Sequence, residues 1–158
     1  LDDIAVAEQG RLYVFSGLTG DTMFYFDSPL LGFRTEPMGD INHDGIPDVG
    51  CSSSPPPERG KTFVLSGDNG TVIRMHEGSE DFSSLGYSIQ KLGDIDLDGF
   101  NDYAISSAYA DRPGMGTLDN TGRVDILSGK TGAILIRLLG ESPGKVFGRS
   151  DRSLTRQE

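Results

Sequence analysis

Two acidic segments of the chain carry side chains whose types and spacing suit a calcium ion. Both read Asp-x-(Asn/Asp)-x-Asp-Gly-x-x-Asp. Ca²⁺ takes about six to eight oxygen ligands, and a Gly at the sixth loop position allows the sharp turn that wraps those oxygens round the ion. The predicted side-chain ligands are Asp40, Asn42, Asp44 and Asp48 in the first loop, and Asp94, Asp96, Asp98 and Asp102 in the second.

The seventh position of each loop can add a backbone carbonyl, here from Ile46 and Phe100. We therefore expect two Ca²⁺ sites that hold hairpins in place rather than perform chemistry. The alternative is a metal-free turn, because Asp and Asn also stabilise turns by bonding to their own backbone. Repulsion among the clustered carboxylates argues against that alternative.

An EF-hand or dockerin-like loop is the rival calcium-binding interpretation. An EF-hand needs a bidentate Glu at the twelfth loop position and helices on both sides. The twelfth positions here are Cys51 and Ile105, and strand-like sequence follows both. We reject the EF-hand and dockerin interpretations on this basis.

Groups that could support catalysis are sparse. His43 occupies a non-ligand position of the first loop, and His76 lies near a predicted strand end. Neither has a nucleophile beside it in the sequence. Residues 128–131 read Ser-Gly-Lys-Thr, but the Gly that a phosphate-binding loop needs five residues earlier is Val124, and a strand is predicted to follow. We therefore expect that the protein is not an enzyme, and that Cys51 is a small strand residue.

The acidic loops lie inside a longer repeat that predicts β-strands alone. Each period begins at a Leu-Gly or Phe-Gly pair and continues as a strand into the acidic loop. A second strand follows the loop, a third ends in Ser-Gly-x-x-Gly, and a fourth returns. The second strands are predicted at 4–7, 49–53 and 103–108, and the fourth at 22–26, 72–76 and 133–139. Four antiparallel strands in one period form a unit the size of a propeller blade.

The chain boundaries cut across this repeat. We predict blades at about 1–31, 32–84 and 85–146, a further strand beginning at 147, and a C-terminal tail at 151–158. The prediction amounts to 12 strands, or three blades, whereas closed propellers have about 4–8. We therefore expect a homo-oligomer that completes the ring, or a piece of a longer chain.

Charge and composition limit the partners. The formal net charge is −10, and no basic stripe balances it, so nucleic acid is not an expected partner. No apolar run approaches the roughly 20 residues of a spanning helix, so we expect no membrane insertion. The single cysteine, Cys51, excludes an internal disulfide, and the 22 glycines suit short strands joined by tight turns.

The repeat resembles the FG-GAP repeats of the integrin α-subunit propeller and its bacterial relatives. Phe147-Gly148 matches the family's opening, and Leu85-Gly86 and Leu31-Gly32 match it in part. The family's loop entry is found at Gly39-Asp40 and Gly93-Asp94. Residues 10–15 and 122–127 match its later strand, whereas 50–52 and 106–108 depart from its Gly-Ala-Pro.

This resemblance implies an all-β, integrin-α-like propeller segment with calcium loops. It further implies an extracellular or cell-surface adhesion module, with a periplasmic location as an alternative, that binds a protein or a glycan. The irregular segments 55–60 and 109–121 are the expected place for such a ligand, because loops on a rigid scaffold usually carry binding. The alternative function is a fragment of a secreted propeller hydrolase or lyase acting on polysaccharide or lipid.

Overall fold

The computed structural model describes residues 2–53, 59–79, 83–112 and 119–149, and eleven β-strands lie in these ranges. The strands are short, five to seven residues each, and tight turns or loops separate them. The strands are β1 Ile4–Glu8, β2 Arg11–Phe15, β3 Thr22–Asp27, β4 Arg34–Gly39, β5 Asp48–Ser53, β6 Lys61–Leu65, β7 Val72–Glu77, β8 Leu85–Lys91, β9 Tyr103–Ser107, β10 Arg123–Leu127 and β11 Ile134–Leu139.

The strands form three antiparallel sheets in chain order. The first sheet contains β1 to β3, the second β4 to β7 and the third β8 to β11. By position in the repeat, β1 corresponds to β5 and β9, and among the described residues the first sheet has no counterpart of β4 or β8. The predicted all-β fold of integrin-α-like blades is confirmed, and 134–139 is a strand within it.

The start of the next repeat differs from the expected twelfth strand. Phe147 forms an isolated parallel bridge with Gly122, and none of the residues described after it continues as a strand. Its amide donates to the Thr121 carbonyl at 2.9 Å, just as the Leu85 amide donates to the Arg59 carbonyl at 2.9 Å. The backbone at Phe147 therefore makes the same hydrogen bond as the backbone at the start of β8. The predicted tail at 151–158 lies outside the described residues.

Two apolar clusters hold the three sheets face to face. Alternating side chains along each strand point into these layers, which is the two-residue period that sequence patterns of sheets depend on. The layer between the first and second sheets contains Leu12, Val14, Leu31, Val49, Cys51, Phe63 and Leu65. The layer between the second and third contains Met38, Ile41, Val64, Leu85, Ile89, Tyr103, Ile105 and Leu127.

The outer faces of the first and third sheets remain exposed. Ile4, Val6 and Tyr25 are 56%, 48% and 59% exposed on the first sheet, and Ile136 and Leu138 are each 43% exposed on the third. Apart from Tyr25, these side chains stand in positions whose counterparts in the other sheets pack into the two inner layers. In the part of the chain that the structure describes, no helix is long and apolar enough to cross a membrane.

A β-bulge recurs at one place in every sheet. The pairing between the third and fourth strand positions shifts at Val14/Phe15, at Val64/Leu65 and at Ile126/Leu127. The shift leaves one extra residue in the last strand of each sheet. The extra residues are Met23, Ile73 and Leu135.

Candidate metal-binding loops

The first carboxylate of each acidic loop closes the turn over the loop's sixth residue. Asp40 accepts from the amide of Asp44 at 3.0 Å through Oδ1 and from the amide of Gly45 at 2.9 Å through Oδ2. In the second loop, Asp94 accepts from Asp98 and Gly99 at 3.0 and 2.8 Å in the same way. The loop between β4 and β5 and the loop between β8 and β9 therefore share one local geometry.

The third and fifth positions make Asx-type bonds that shape the rest of the loop. Asn42 Oδ1 accepts from the Asp44 amide at 3.0 Å, and Asp44 Oδ1 accepts from the Ile46 amide at 2.8 Å. In the second loop, Asp96 and Asp98 accept from the amides of Asp98 and Phe100 at 3.2 and 2.9 Å. These bonds pre-form the loops, and each carboxylate oxygen has a second lone pair for a further partner.

The ninth position ties each acidic loop to the turn of a neighbouring hairpin. Buried Asp48 accepts from the amides of Ile41 at 2.7 Å and Gly67 at 3.1 Å. Buried Asp102 accepts from Ile95 at 2.7 Å and from Gly129 at 3.0 Å.

The same link recurs in the first sheet, where Asp3 accepts from the amide of Gly17 at 2.9 Å. Gly17, Gly67 and Gly129 are each the first glycine of a Ser-Gly-x-x-Gly turn. Sequence reasoning missed these bonds to the turns. The signal that could have found them is the recurrence of an acid at the start of each second strand and of Ser-Gly at the end of each third strand, because these two ends are adjacent in an antiparallel pair.

The second loop gathers its carboxylates closely enough for one cation. Asp94, Asp96 and Asp102 each offer one carboxylate oxygen, and these oxygens all lie within 4.8 Å of one another. A set of hard oxygen donors suits Ca²⁺. The first loop has the neutral Asn42 in the place of Asp96, so it brings one charge fewer.

Two of the predicted ligands carry an electrostatic cost in the absence of a cation. Burial raises the pKa of Asp48. Desolvation, followed by the nearby charges of Asp98 and Asp102, raises the pKa of Asp96. A raised carboxyl pKa means that the surroundings disfavour the charged form, and a bound cation reverses that preference. The residues present therefore fit a calcium ion.

An aromatic stack joins the two loops. The His43 ring lies 3.9 Å from the Phe100 ring, centroid to centroid, at an interplanar angle of 4°. The Lys130 ammonium lies over the same Phe100 ring at 5.1 Å from its centroid. Sequence reasoning gave His43 no partner, because 57 residues separate the two rings in the chain.

A pocket of about 300 Å³ lies between the second and third sheets, where β7 faces β10 and β11. His76 lines it, and the His76 Nε2 atom lies 2.8 Å from the Tyr103 hydroxyl. Burial, followed by the charge of Arg74, lowers the pKa of His76. Asp125 also lines the pocket and is held by Arg137 at 2.7 Å and Arg123 at 3.2 Å.

Cys51 and the Ser-Gly-Lys-Thr segment take structural positions. Cys51 is fully buried in β5, and burial raises the pKa of its thiol to about 12. A thiol of this kind is inert as a nucleophile at neutral pH. Residues 128–131 form a turn, and the strand β11 follows that turn as expected.

The segments predicted to bind a ligand fall partly outside the described residues, at 54–58 and 113–118. The described ends of the second segment are joined by an ion pair between Arg112 Nε and Asp119 Oδ2 at 2.9 Å. The Thr121 side chain, followed by Arg112, lowers the pKa of Asp119 to about 2. This segment is therefore anchored at its base.

Two integrin α-subunits are similar in sequence to this chain. Integrin alpha-8 of Gallus gallus is 25% identical over 138 residues, which cover 80% of this chain and 12% of that protein. Integrin alpha-2 of Bos taurus is 29% identical over 145 residues, which cover 84% of this chain and 11% of that protein. The chain thus spans only about one ninth to one eighth of the length of these relatives.

No family model matches the chain. The two relatives cover most of it, however, and the all-β fold of three antiparallel sheets agrees with the blades that the repeats predicted. By its repeats, its sheets and these two relatives, the chain is similar to the integrin α-subunits, and its all-β fold is that of integrin-α-like propeller blades.

Proposed function

We propose that the chain is a calcium-binding propeller segment that acts as an extracellular, adhesion-type binding module. The observation that carries the calcium part is the convergence of Asp94, Asp96 and Asp102 within 4.8 Å. The adhesion part is supported by the similarity to two integrin α-subunits.

Each ion would be bound by one of the two acidic loops, at residues 40–48 and 94–102. A bound Ca²⁺ would offset the charge of the clustered carboxylates and fix the hairpins between β4 and β5 and between β8 and β9. Asp48 and Asp102 would pass this restraint to the next hairpin through their bonds to Gly67 and Gly129. Extracellular modules often bind Ca²⁺ with a Kd of about 10⁻⁴–10⁻³ M, and we expect that range here.

The partner would be a protein or a glycan outside the cytoplasm. The integrin names of the relatives support a location outside the cell or at its surface, and a periplasmic location is the alternative. The binding role is tested by probing glycan arrays and extracellular-protein arrays with the purified chain, in calcium and in chelator. Binding to one class supports the role, whereas binding to neither contradicts it.

The pocket between the second and third sheets bears on the alternative of a hydrolase or lyase, because His76, Glu77 and Asp125 all line it. The histidine bonds to the Tyr103 hydroxyl rather than to a carboxylate. Asp125 is paired with arginines, and Glu77 lies 3.4 Å from the Lys61 ammonium. These pairings favour a binding role over a catalytic one, as do the integrin relatives.

The calcium sites are tested by isothermal titration calorimetry on the wild type and on Asp40→Asn, Asp94→Asn and the double variant. We expect two bound ions in the wild type, one in each single variant and none in the double variant. Asp21→Asn, which removes an exposed aspartate from a surface turn, is the matched control and should leave both sites intact. Equal calcium binding by the wild type and the double variant would contradict the proposal.

A further inference from the structure

We propose that His43 of the first loop is a positioning residue for the calcium site in the second loop, so that the two loops bind Ca²⁺ as a coupled pair. The inference rests on the calcium binding proposed above. It assigns a role to a side chain that occupies a non-ligand position in its own loop.

The contact between the loops is a close, parallel stack. The rings of His43 and Phe100 are 3.9 Å apart and 4° from parallel. Lys130 lies over the Phe100 ring at 5.1 Å. Phe100 is therefore restrained both by the first loop and by the turn that follows β10.

Phe100 is the residue whose restraint matters for the second site. It stands at the seventh loop position, which supplies a backbone carbonyl to the ion in loops of this pattern. Its amide already donates to Asp98 Oδ1 at 2.9 Å. The ring and the backbone carbonyl of Phe100 belong to the same residue. When His43 restrains the ring, the carbonyl has less conformational freedom, so less conformational entropy is lost when the ion binds.

The second loop provides an internal comparison for His43. Leu97 stands at the same fourth position and has nearly the same backbone, with φ of 61° against 62° for His43. Leu97 is nevertheless 86% exposed. A fourth-position side chain is therefore not needed to shape its own loop. The contact of His43 instead serves the loop of the following repeat.

The test measures the second site alone, by calorimetry in an Asp40→Asn background that disables the first. His43→Asn removes the ring and keeps a residue that tolerates the left-handed backbone. Aromatic pairs contribute about 0.5–1.5 kcal/mol, so we expect the Kd of the second site to rise about two- to tenfold. His43→Tyr should restore the wild-type Kd because it restores the stack.

Leu97→Asn is the matched control, and it should leave the second-site Kd unchanged. Circular dichroism in chelator checks that each variant folds, and His43→Gln serves as a second stack-removing variant if His43→Asn does not fold. Calcium binding at an unaltered Kd in the His43 variants would overturn the positioning role alone. No calcium binding at the second loop of any variant would overturn both this inference and the calcium sites.

Discussion

At the scale of single residues, Asp119 shows how a short loop can be fixed at its base. Its Oδ1 atom accepts from the amides of Arg112 and Thr121, both at 3.2 Å, and its Oδ2 atom accepts from the Arg112 guanidinium at 2.9 Å. Its own amide donates to the Asp111 carboxylate at 2.7 Å. The carboxylate form of Asp119 is the form that all these donors favour.

The contribution of Asp119 to folding stability therefore depends on pH, and the direction of that dependence follows from its lowered pKa. The folded-state pKa of Asp119 is about 2, below its ordinary value of 3.8, so the stabilisation is present above about pH 4. It should be lost as the pH falls from about 4 towards 2. We expect Asp119→Asn to be less stable than the wild type at pH 7, and the two to converge near pH 2.

Thermal unfolding in chelator between pH 2 and pH 7 measures this difference. Asp21→Asn, at an exposed turn, serves as the control and should follow the wild-type curve. If Asp119→Asn and the wild type differed by the same amount at every pH, the carboxylate would not be the stabilising species.

At the scale of elements, the link between an acidic loop and the next turn leaves no room for a side chain. A Cβ built on Gly129 would lie 1.8 Å from the Asn101 carbonyl oxygen, and one on Gly67 would lie 1.9 Å from that of Pro47. Neither contact can relax without moving backbone. A glycine at this position of the turn therefore lets the carboxylate of Asp48 or Asp102 accept a hydrogen bond from the glycine's backbone amide.

We expect Gly129→Ala to lower the free energy of unfolding by roughly 1–3 kcal/mol, because the added methyl group overpacks a rigid contact. Gly93→Ala is the matched control, since a Cβ there would meet nothing within 4 Å. Urea denaturation in chelator measures both variants. A Gly129→Ala protein as stable as Gly93→Ala would show that the turn and the loop can separate at little cost.

The strands could be predicted from the sequence, and the loop ligands proposed from it, because the signals for both are local. Alternating apolar residues and Gly-rich turns lie within a few positions of one another, as do the oxygens of each loop. The pairings of Asp48 with Gly67, His43 with Phe100, and His76 with Tyr103 join residues 19 to 57 positions apart. Such contacts depend on how sheets stack, which a repeat pattern alone does not specify.

At the scale of the whole molecule, the outer faces of the first and third sheets are open to further contacts. The first sheet presents Ile4, Val6 and Tyr25 to solvent, and within the described part of the chain it has no counterpart of β4. The third sheet presents Ile136 and Leu138, and Phe147 begins another repeat beside it. Exposed apolar faces and unpaired strand edges favour association with further blades.

We propose that the isolated chain forms a homodimer in which two sets of three blades complete one ring. We expect light scattering to give twice the mass of 17.0 kDa in millimolar calcium. Ile136→Asp, on the outer face of the third sheet, should yield a monomer. Leu18→Asp, at an exposed turn position, should remain a dimer. A wild-type monomer would instead favour completion by the rest of a longer chain.

The recurrent bulge makes the length of each final strand as important as its composition. Met23, Ile73 and Leu135 are the extra residues in their strands. Because the residues on both sides of each extra residue already face consecutive partners in the neighbouring strand, deleting it would leave a regular ladder with each remaining side chain on its present face. A single-residue deletion elsewhere in these strands would instead invert every side chain on one side of it and exchange a buried face for an exposed one.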